Sequence, residues 1–397
     1  MIEKVQKRGV PVWVVAVLQR KNPHLSARRG ETHSGPHLSI QYMMPHYYKT
    51  REELAKQLVS RGMGSSAGLT VDELQREICR QLSQVNYYRL SAYWHQFRRP
   101  LENSRSGKLS KDFLPDTCWE RVMEYYWFDH QLRLLLSDAV SRIEIALREH
   151  IASVLAARSP DSVNPQNLVS NYCTKFHTVK RGKGGKSFCR IMLEKVDAVY
   201  HSSGSVAARH YLCVKHIAEA RFLPVWVFME FATFGNLGTL ISVGLRKSIV
   251  SEIAAHFGFS SRDFFVSAVA LLHRVRNECA HQGRVWNRHW LQISPRGGAT
   301  PVLKTPDRRE WKYQIPEQDE WQLAEDEPSC LLRSPVCTAA ALTVCSVMLR
   351  AIAPGCGWRE RLFSLFDNCG IPAIYQEVGF VDADWQKGPL WCEDVVY

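Results

Sequence analysis

Apolar positions recur at helical spacing along most of the chain and strand-like alternation is rare, which predicts a mainly α-helical fold. Regular patterning begins at Lys49-Thr50-Arg51-Glu52-Glu53-Leu54. There Thr50 is placed to cap a helix, Glu53 closes a capping box three residues on, and Leu54, Leu58 and Val59 form a stripe that ends at Gly62. Thr70-Val71-Asp72-Glu73-Leu74 repeats the signature. Residues 86–97 carry aromatics at helical spacing (Tyr87, Tyr88, Tyr93, Trp94, Phe97) and read as a core stripe in preference to a base-stacking surface. The longest predicted helix covers residues 119–157, with no internal proline. Leu132, Leu135, Leu136, Val140, Ile143 and Leu147 supply its buried stripe. Arg133, Arg142, Glu144 and Arg148 interrupt that pattern, either as an ion-paired surface or as part of a polar groove.

Pro160 and Pro165 break the pattern over residues 158–190. Helices resume at residues 207–219 and 224–232. A turn is predicted at Phe234-Gly235-Asn236, then helices at 237–245 and 248–257, and Ser260 or Ser261 caps the next one. Beyond residue 289 the composition shifts to Pro, Gly and mixed charge, followed by an apolar helix at Thr338–Ile352 and a tail rich in Trp and Cys. Three regions are expected. Residues 1–42 form an extension that is poorly structured or precedes the true start (Met43 and Met44 being candidate start residues). Residues 43–290 form a helical domain, and residues 291–397 a linker with a C-terminal helical extension.

Composition narrows the function. The 397 residues suffice for one large or two medium domains, and 45% hydrophobic with 11% aromatic residues allows a substantial core. A net charge of +12 and a pI near 9.2 favour a polyanionic partner, nucleic acid first, although ordinary solubilising charge has the same look. The twelve cysteines are scattered, with no CxxC pair and no Cys/His cluster of ligand spacing. They read as reduced core thiols, and no metal or cofactor is expected. The apolar run from Val10 to Leu18 contains Pro11, is too short to span a bilayer, and leads into Gln19-Arg20-Lys21. A soluble, cytoplasmic protein with no membrane partner is expected. Within the basic glycine-rich loop near residues 175–190, Lys180, Arg181, Lys183 and Lys186 suit phosphate contact without sequence readout, or make a merely solvated loop. The glycine spacing is not that of a P-loop.

The chemistry concentrates between Ala268 and Arg284. At 100° per residue, Ala268, Leu271, Leu272, Val275 and Cys279 share one side, while His273, Arg276, Asn277, Ala280, His281 and Arg284 gather opposite. Solvated faces usually mix Lys and Glu; this one joins Arg, Asn and His, as an anion site would. The Arg-to-His spacing alone is common here, recurring at Arg28/His33, Arg89/His95, Arg209/His216, Arg274/His281 and Arg284/His289. The helical setting distinguishes Arg276/His281. Asn277 and His281 stand four apart, so the amide is expected to steady the imidazole. An imidazole can move a proton near neutral pH, and a guanidinium can hold two oxygens of a phosphorane-like transition state. Together they suffice for attack by an RNA 2′-hydroxyl on its adjacent phosphate without a metal. One imidazole does not easily serve as both base and acid, so two copies across a twofold axis are the natural solution.

At these residues the chain resembles the Abi-like (AbiD/AbiF-type) abortive-infection family of bacteria, itself placed in the HEPN ribonuclease superfamily. The resemblance rests on ordered blocks: Asn86-Tyr87-Tyr88-Arg89-Leu90-Ser91-Ala92-Tyr93-Trp94, Asp129-His130-Gln131-Leu132-Arg133, Arg142-Ile143-Glu144-Ile145-Ala146-Leu147-Arg148 and Leu223-Pro224-Val225-Trp226. Glu230, Phe234-Gly235, Arg276-Asn277-Glu278-Cys279-Ala280-His281 and Trp286-Asn287-Arg288 complete it, over roughly residues 45–290. It implies an all-α HEPN-type domain with additional terminal helical segments, and a composite ribonuclease site formed by homodimerisation. It also implies a role in defence by growth arrest and an RNA partner, as substrate or as a cognate noncoding RNA; the family looks related to the RNA-cleaving effectors of type VI CRISPR systems. Arg276 and His281 carry over as catalytic, with Asn277 supporting them. His273, Arg284 and Arg288 join the basic loop as candidate RNA contacts. Arg133, Arg142, Glu144, Arg148, Trp226 and Glu230 are expected as scaffold around the site. The expected function is a metal-independent endoribonuclease toxin; the alternative is a non-catalytic module that holds a regulatory RNA.

Overall fold

Thr50 and Thr70 both close the capping boxes that their spacing predicts. The Glu53 N–H donates to Thr50 Oγ1 at 3.2 Å while the Glu53 carboxylate accepts from the Thr50 N–H at 2.8 Å, and α1 (Arg51–Ser60) starts there. Thr70 and Glu73 start α2 (Val71–Leu82) in the same way. Ala55 and Leu58 of α1 and Leu74, Ile78 and Leu82 of α2 are buried, and the two helices pack together. The structure is a computed structural model that describes residues 48–101, 109–158, 198, 225–288, 290, 337–387 and 391, together with the backbone of residues 2–7 and 10–15.

The chain divides into two compact units, one of residues 1–87 and 98–117, the other of residues 88–97 and 118–397. Besides α1 and α2, the described residues of the first unit form two antiparallel strand pairs. β1 (Ile2–Lys7) pairs with β2 (Val10–Val15) from Ile2↔Val15 to Lys7↔Val10, and β3 (Arg98–Pro100) pairs with β4 (Leu109–Phe113). The first pair places two short strands within residues 1–42, the segment expected to be poorly structured or to precede the true start. Val10, Val12, Val14 and Val15 are β-branched and suit a strand, which a search for helical periodicity passes over.

The second unit is built on one long helix. α3 (Tyr87–Trp94) leads into it, and α4 (Trp119–Arg158) runs for 40 residues, about 60 Å at 1.5 Å per residue. Around α4 pack α5 (Val225–Phe231), α6 (Phe234–Thr239), α7 (Lys247–His256), α8 (Arg262–Ala280), α9 (Thr338–Ile352) and α10 (Trp358–Asn368); α11 (Ile374–Val378) follows. The predicted turn at Phe234-Gly235-Asn236 is instead the first turn of α6. Thr233 caps it, with Asn236 returning its side-chain oxygen to the Thr233 N–H at 3.1 Å, so an asparagine takes the part a glutamate usually plays in the box. A single π turn at Leu240–Gly244 then leads towards α7.

Every side chain of α9 from Thr338 to Leu349 is buried. Helices with apolar residues all round belong in a core, and α9 packs against both α4 and α8. The hydroxyl of its first residue, Thr338 Oγ1, donates to the Val285 carbonyl at 2.6 Å, and Trp358 Nε1 of α10 donates to the Leu135 carbonyl at 2.8 Å. The helices beyond residue 290 therefore complete the core under α8 rather than standing apart. Among the described residues, no helix is long and apolar enough to cross a membrane, and no group of three or more His, Cys, Asp or Glu is placed to hold a metal ion.

Candidate active face at the end of α8

Ser261 starts α8 by accepting from the Phe264 N–H at 3.4 Å. The helix is two-faced as expected: Ala268, Leu271, Leu272, Val275 and Cys279 are buried, whereas Arg276, Ala280 and His281 are exposed. It ends one residue before the histidine. His281 is the C-cap, Gln282 is left-handed at φ 57, and the Gln282 and Gly283 N–H groups return to the Cys279 and Glu278 carbonyls at 3.1 and 2.9 Å. This 6→1 and 5→2 closure satisfies carbonyls that the helix end leaves open. A β-carbon on residue 283 would lie 1.7 Å from Glu278 Oε1, so glycine is the residue that lets the loop pass close to that carboxylate.

Because α8 stops there, Arg284 does not share the polar face on which the helical wheel places it. Its guanidinium sits over the Trp286 ring and donates to the Ala92 carbonyl of α3 at 2.9 Å. Asn277 also differs from expectation. Its amide nitrogen meets His273 Nε2 at 3.1 Å, not the His281 ring. The reason is the backward tilt of helical Cα–Cβ bonds, which points the residue 277 side chain at the preceding turn.

Arg276 stands on a buried carboxylate. Its Nε lies 3.5 Å from Oε2 of Glu144 on α4, and Glu144, 7% exposed, also pairs with Arg148. Arg148 in turn donates to the Ala232 carbonyl at 3.1 Å. Glu144 is thus a counterion shared by two guanidinium groups, one of which turns its free side outward. Glu144→Ala is expected to destabilise the protein by about 2 kcal/mol, since Arg148 loses a charged hydrogen-bond partner, and to lower Tm by roughly 4–8 °C. Glu144→Gln, which keeps an acceptor, should recover part of that loss in a thermal melt.

His273 is half-buried and stacks on Phe234 at 5.8 Å between ring centroids. Gly235 makes room, since a β-carbon there would lie 3.3 Å from the imidazole. Burial pushes the His273 pKa below its ordinary 6.5, and Arg276 and Arg274 push it the same way, so the ring is neutral at neutral pH. His150 is lowered by burial and by His256. In both cases the unfolded chain holds the proton more tightly than the folded one. Their contribution to stability is complete above the unfolded value and is lost as pH falls through the folded one. Tm should therefore fall on acidification from pH ~7 to ~5, and His273→Gln should flatten that fall.

The sequence reasoning gave Asp129 no role, although it opens one of the blocks that carry the resemblance. It is fully buried and collects four donors: Tyr93 Oη at 2.7 Å, Arg133 Nη1 at 2.6 Å, and the Val285 and Trp286 N–H groups at 2.8 and 2.6 Å. Arg133, 4% exposed, also donates to the Gly283 carbonyl at 3.0 Å. Burial pushes the Tyr93 phenol far up, with Asp129 adding to the effect, so Tyr93 stays a donor. The available signal was an Asp and an Arg four apart within an apolar stripe.

The remaining predicted residues are dispersed. Arg142 is exposed and pairs with Asp138 at 2.8 Å, and that carboxylate also takes Arg361 of α10 at 2.5 Å; it belongs to a surface ion cluster rather than to the Glu144 network. Trp226 and Glu230 are exposed, one turn apart on α5. Arg288 pairs with Glu278 at 2.7 Å and lies over the Trp290 ring. Lys180, Arg181, Lys183 and Lys186 lie outside the described residues. What gathers is Arg276, Asn277 and His273 with Glu144 and Arg148 behind them, His281 at the helix end, and Arg133 under the loop that follows.

A family model described as Abi-like protein matches residues 80–287, just over half of the chain, and that stretch runs from the end of α2 through the loop after His281. No curated protein and no solved structure matches the chain.

Proposed function

The chain belongs to the Abi-like protein family, which associates it with abortive-infection phage defence, and on that premise we propose that it is an endoribonuclease toxin of the HEPN type. The observation that carries this reading is the exposed edge where Arg276 and His281 meet solvent, with Arg276 steadied from behind by buried Glu144. His281 takes the proton from an RNA 2′-hydroxyl. The 2′-oxygen forms a bond to the adjacent phosphorus, the bond from phosphorus to the 5′-oxygen breaks, and that oxygen leaves with a proton from a second imidazole. Arg276 offers paired N–H donors to the phosphate oxygens as charge builds on them. The products are a 2′,3′-cyclic phosphate and a 5′-hydroxyl. This sequence of steps needs no metal.

His281 of a second copy is the natural source of the other imidazole, which makes the working form a twofold dimer with a composite site. The net charge of +12 suits RNA as the partner, with Arg288 and the basic loop of Lys180, Arg181, Lys183 and Lys186 as further phosphate contacts. The reading is tested in cells by sequencing RNA ends after brief induction of wild type and of His281→Ala. New ends carrying cyclic phosphate should appear with wild type only; identical ends from both proteins would overturn the assignment. Purified protein that binds RNA and never cuts it would make the chain a binding module instead.

A further inference from the structure

His281 is exposed, so the fold governs its position through the backbone on either side of it. The helix before it is regular. The loop after it is held far more firmly than termination of α8 requires, because the Gln282 and Gly283 amides already close the helix end. Arg89 of α3, half-buried, donates to the Gln282 carbonyl, the first peptide oxygen beyond His281. Arg284 donates in the opposite direction, to the Ala92 carbonyl of α3, so helix and loop exchange guanidinium–carbonyl bonds both ways. Arg133 takes the next oxygen, that of Gly283, and buried Asp129 takes the two amides after Arg284. Tyr93 of α3 ends on the same carboxylate, which ties α3, α4 and the loop to one point.

We propose that Arg89 and Asp129 are positioning residues for His281, acting through the backbone of residues 282–286. The proposal rests on the ribonuclease reading of the Arg276/His281 face. Helix ends fray unless tied down, and a catalytic base misplaced by about 1 Å can lose on the order of 100-fold in rate. An imidazole on the C-cap residue of a helix needs such ties more than one in the middle. Arg89 is the accessible lever, because it reaches the loop from its surface side. Asp129 is the buried anchor. Neither touches the RNA in this scheme, so their loss acts on turnover rather than on binding.

The test uses the full-length protein, a labelled single-stranded RNA and hydrogen–deuterium exchange. Arg89→Met keeps the aliphatic stem and removes the donors. It should lower kcat about 10- to 100-fold with KM unchanged within about twofold, and it should raise amide exchange in residues 282–286 while α4 stays protected. Arg89→Lys, which keeps a donor, should recover part of kcat. Asp129→Asn should act in the same direction and more strongly; if it fails to fold, the Arg89 pair carries the test. A raised KM with unchanged kcat would make Arg89 an RNA contact and overturn the proposal, as would unchanged kcat and exchange in a wild type that cuts RNA. A wild type that cuts no RNA overturns the ribonuclease reading itself, and the positioning role with it.

Discussion

Replacing His281 by alanine is expected to lower RNA cleavage by about 10²- to 10⁴-fold, the range typical of removing a general acid or base. Arg276→Ala should cost about 10²- to 10³-fold, as loss of a transition-state charge stabiliser does. Both side chains are exposed, so neither variant should shift Tm by more than a degree or two. The two losses should not add in the double variant, because both groups act on the same transition state. Growth arrest on expression should disappear in parallel with cleavage. Steady-state cleavage beside a thermal melt checks both halves of the expectation: activity gone, fold intact.

Asp129→Ala should differ by a large loss of stability. It strips the counterion from Arg133, which is 4% exposed, and leaves two backbone amides and a tyrosine hydroxyl without their acceptor. Breaking a buried pair from one side costs about 3–5 kcal/mol, enough to lower Tm by roughly 10 °C or more. Tyr93→Phe removes a single bond and should cost about 1 kcal/mol. If Asp129 and Arg133 are replaced together by leucine, the harm should be less than the sum of the single changes, since no unpaired charge stays behind. An Asp129→Ala protein that melts with wild type would remove this carboxylate from the account of how the loop is held.

What could be read in the sequence was what local chemistry decides. The Thr50 and Thr70 boxes involve residues three apart, and the extents of α4 and α9 follow from apolar positions at helical spacing with no internal proline. The two faces of α8 likewise follow from periodicity. The errors have physical causes. A helical wheel assumes that the helix continues, so it carried Arg284 past a left-handed Gln282 that no local signal marks apart from the following glycine. It also ignores the tilt of side chains, and so paired Asn277 with the wrong histidine. For Asp129 the sequence offered only its spacing from Arg133, and for a different reason. Its partners come from residues 93, 133, 285 and 286, and only the fold brings those together. Burial of α9 against α4 and α8 belongs to the same class.

The most direct measurement is cleavage of a labelled single-stranded RNA by purified protein in excess chelator, with wild type and the Arg276→Ala/His281→Ala double variant side by side. The account predicts fragments ending in 2′,3′-cyclic phosphate from wild type and intact RNA from the double variant. Equal cleavage by both proteins, or cleavage that chelator abolishes, would contradict it.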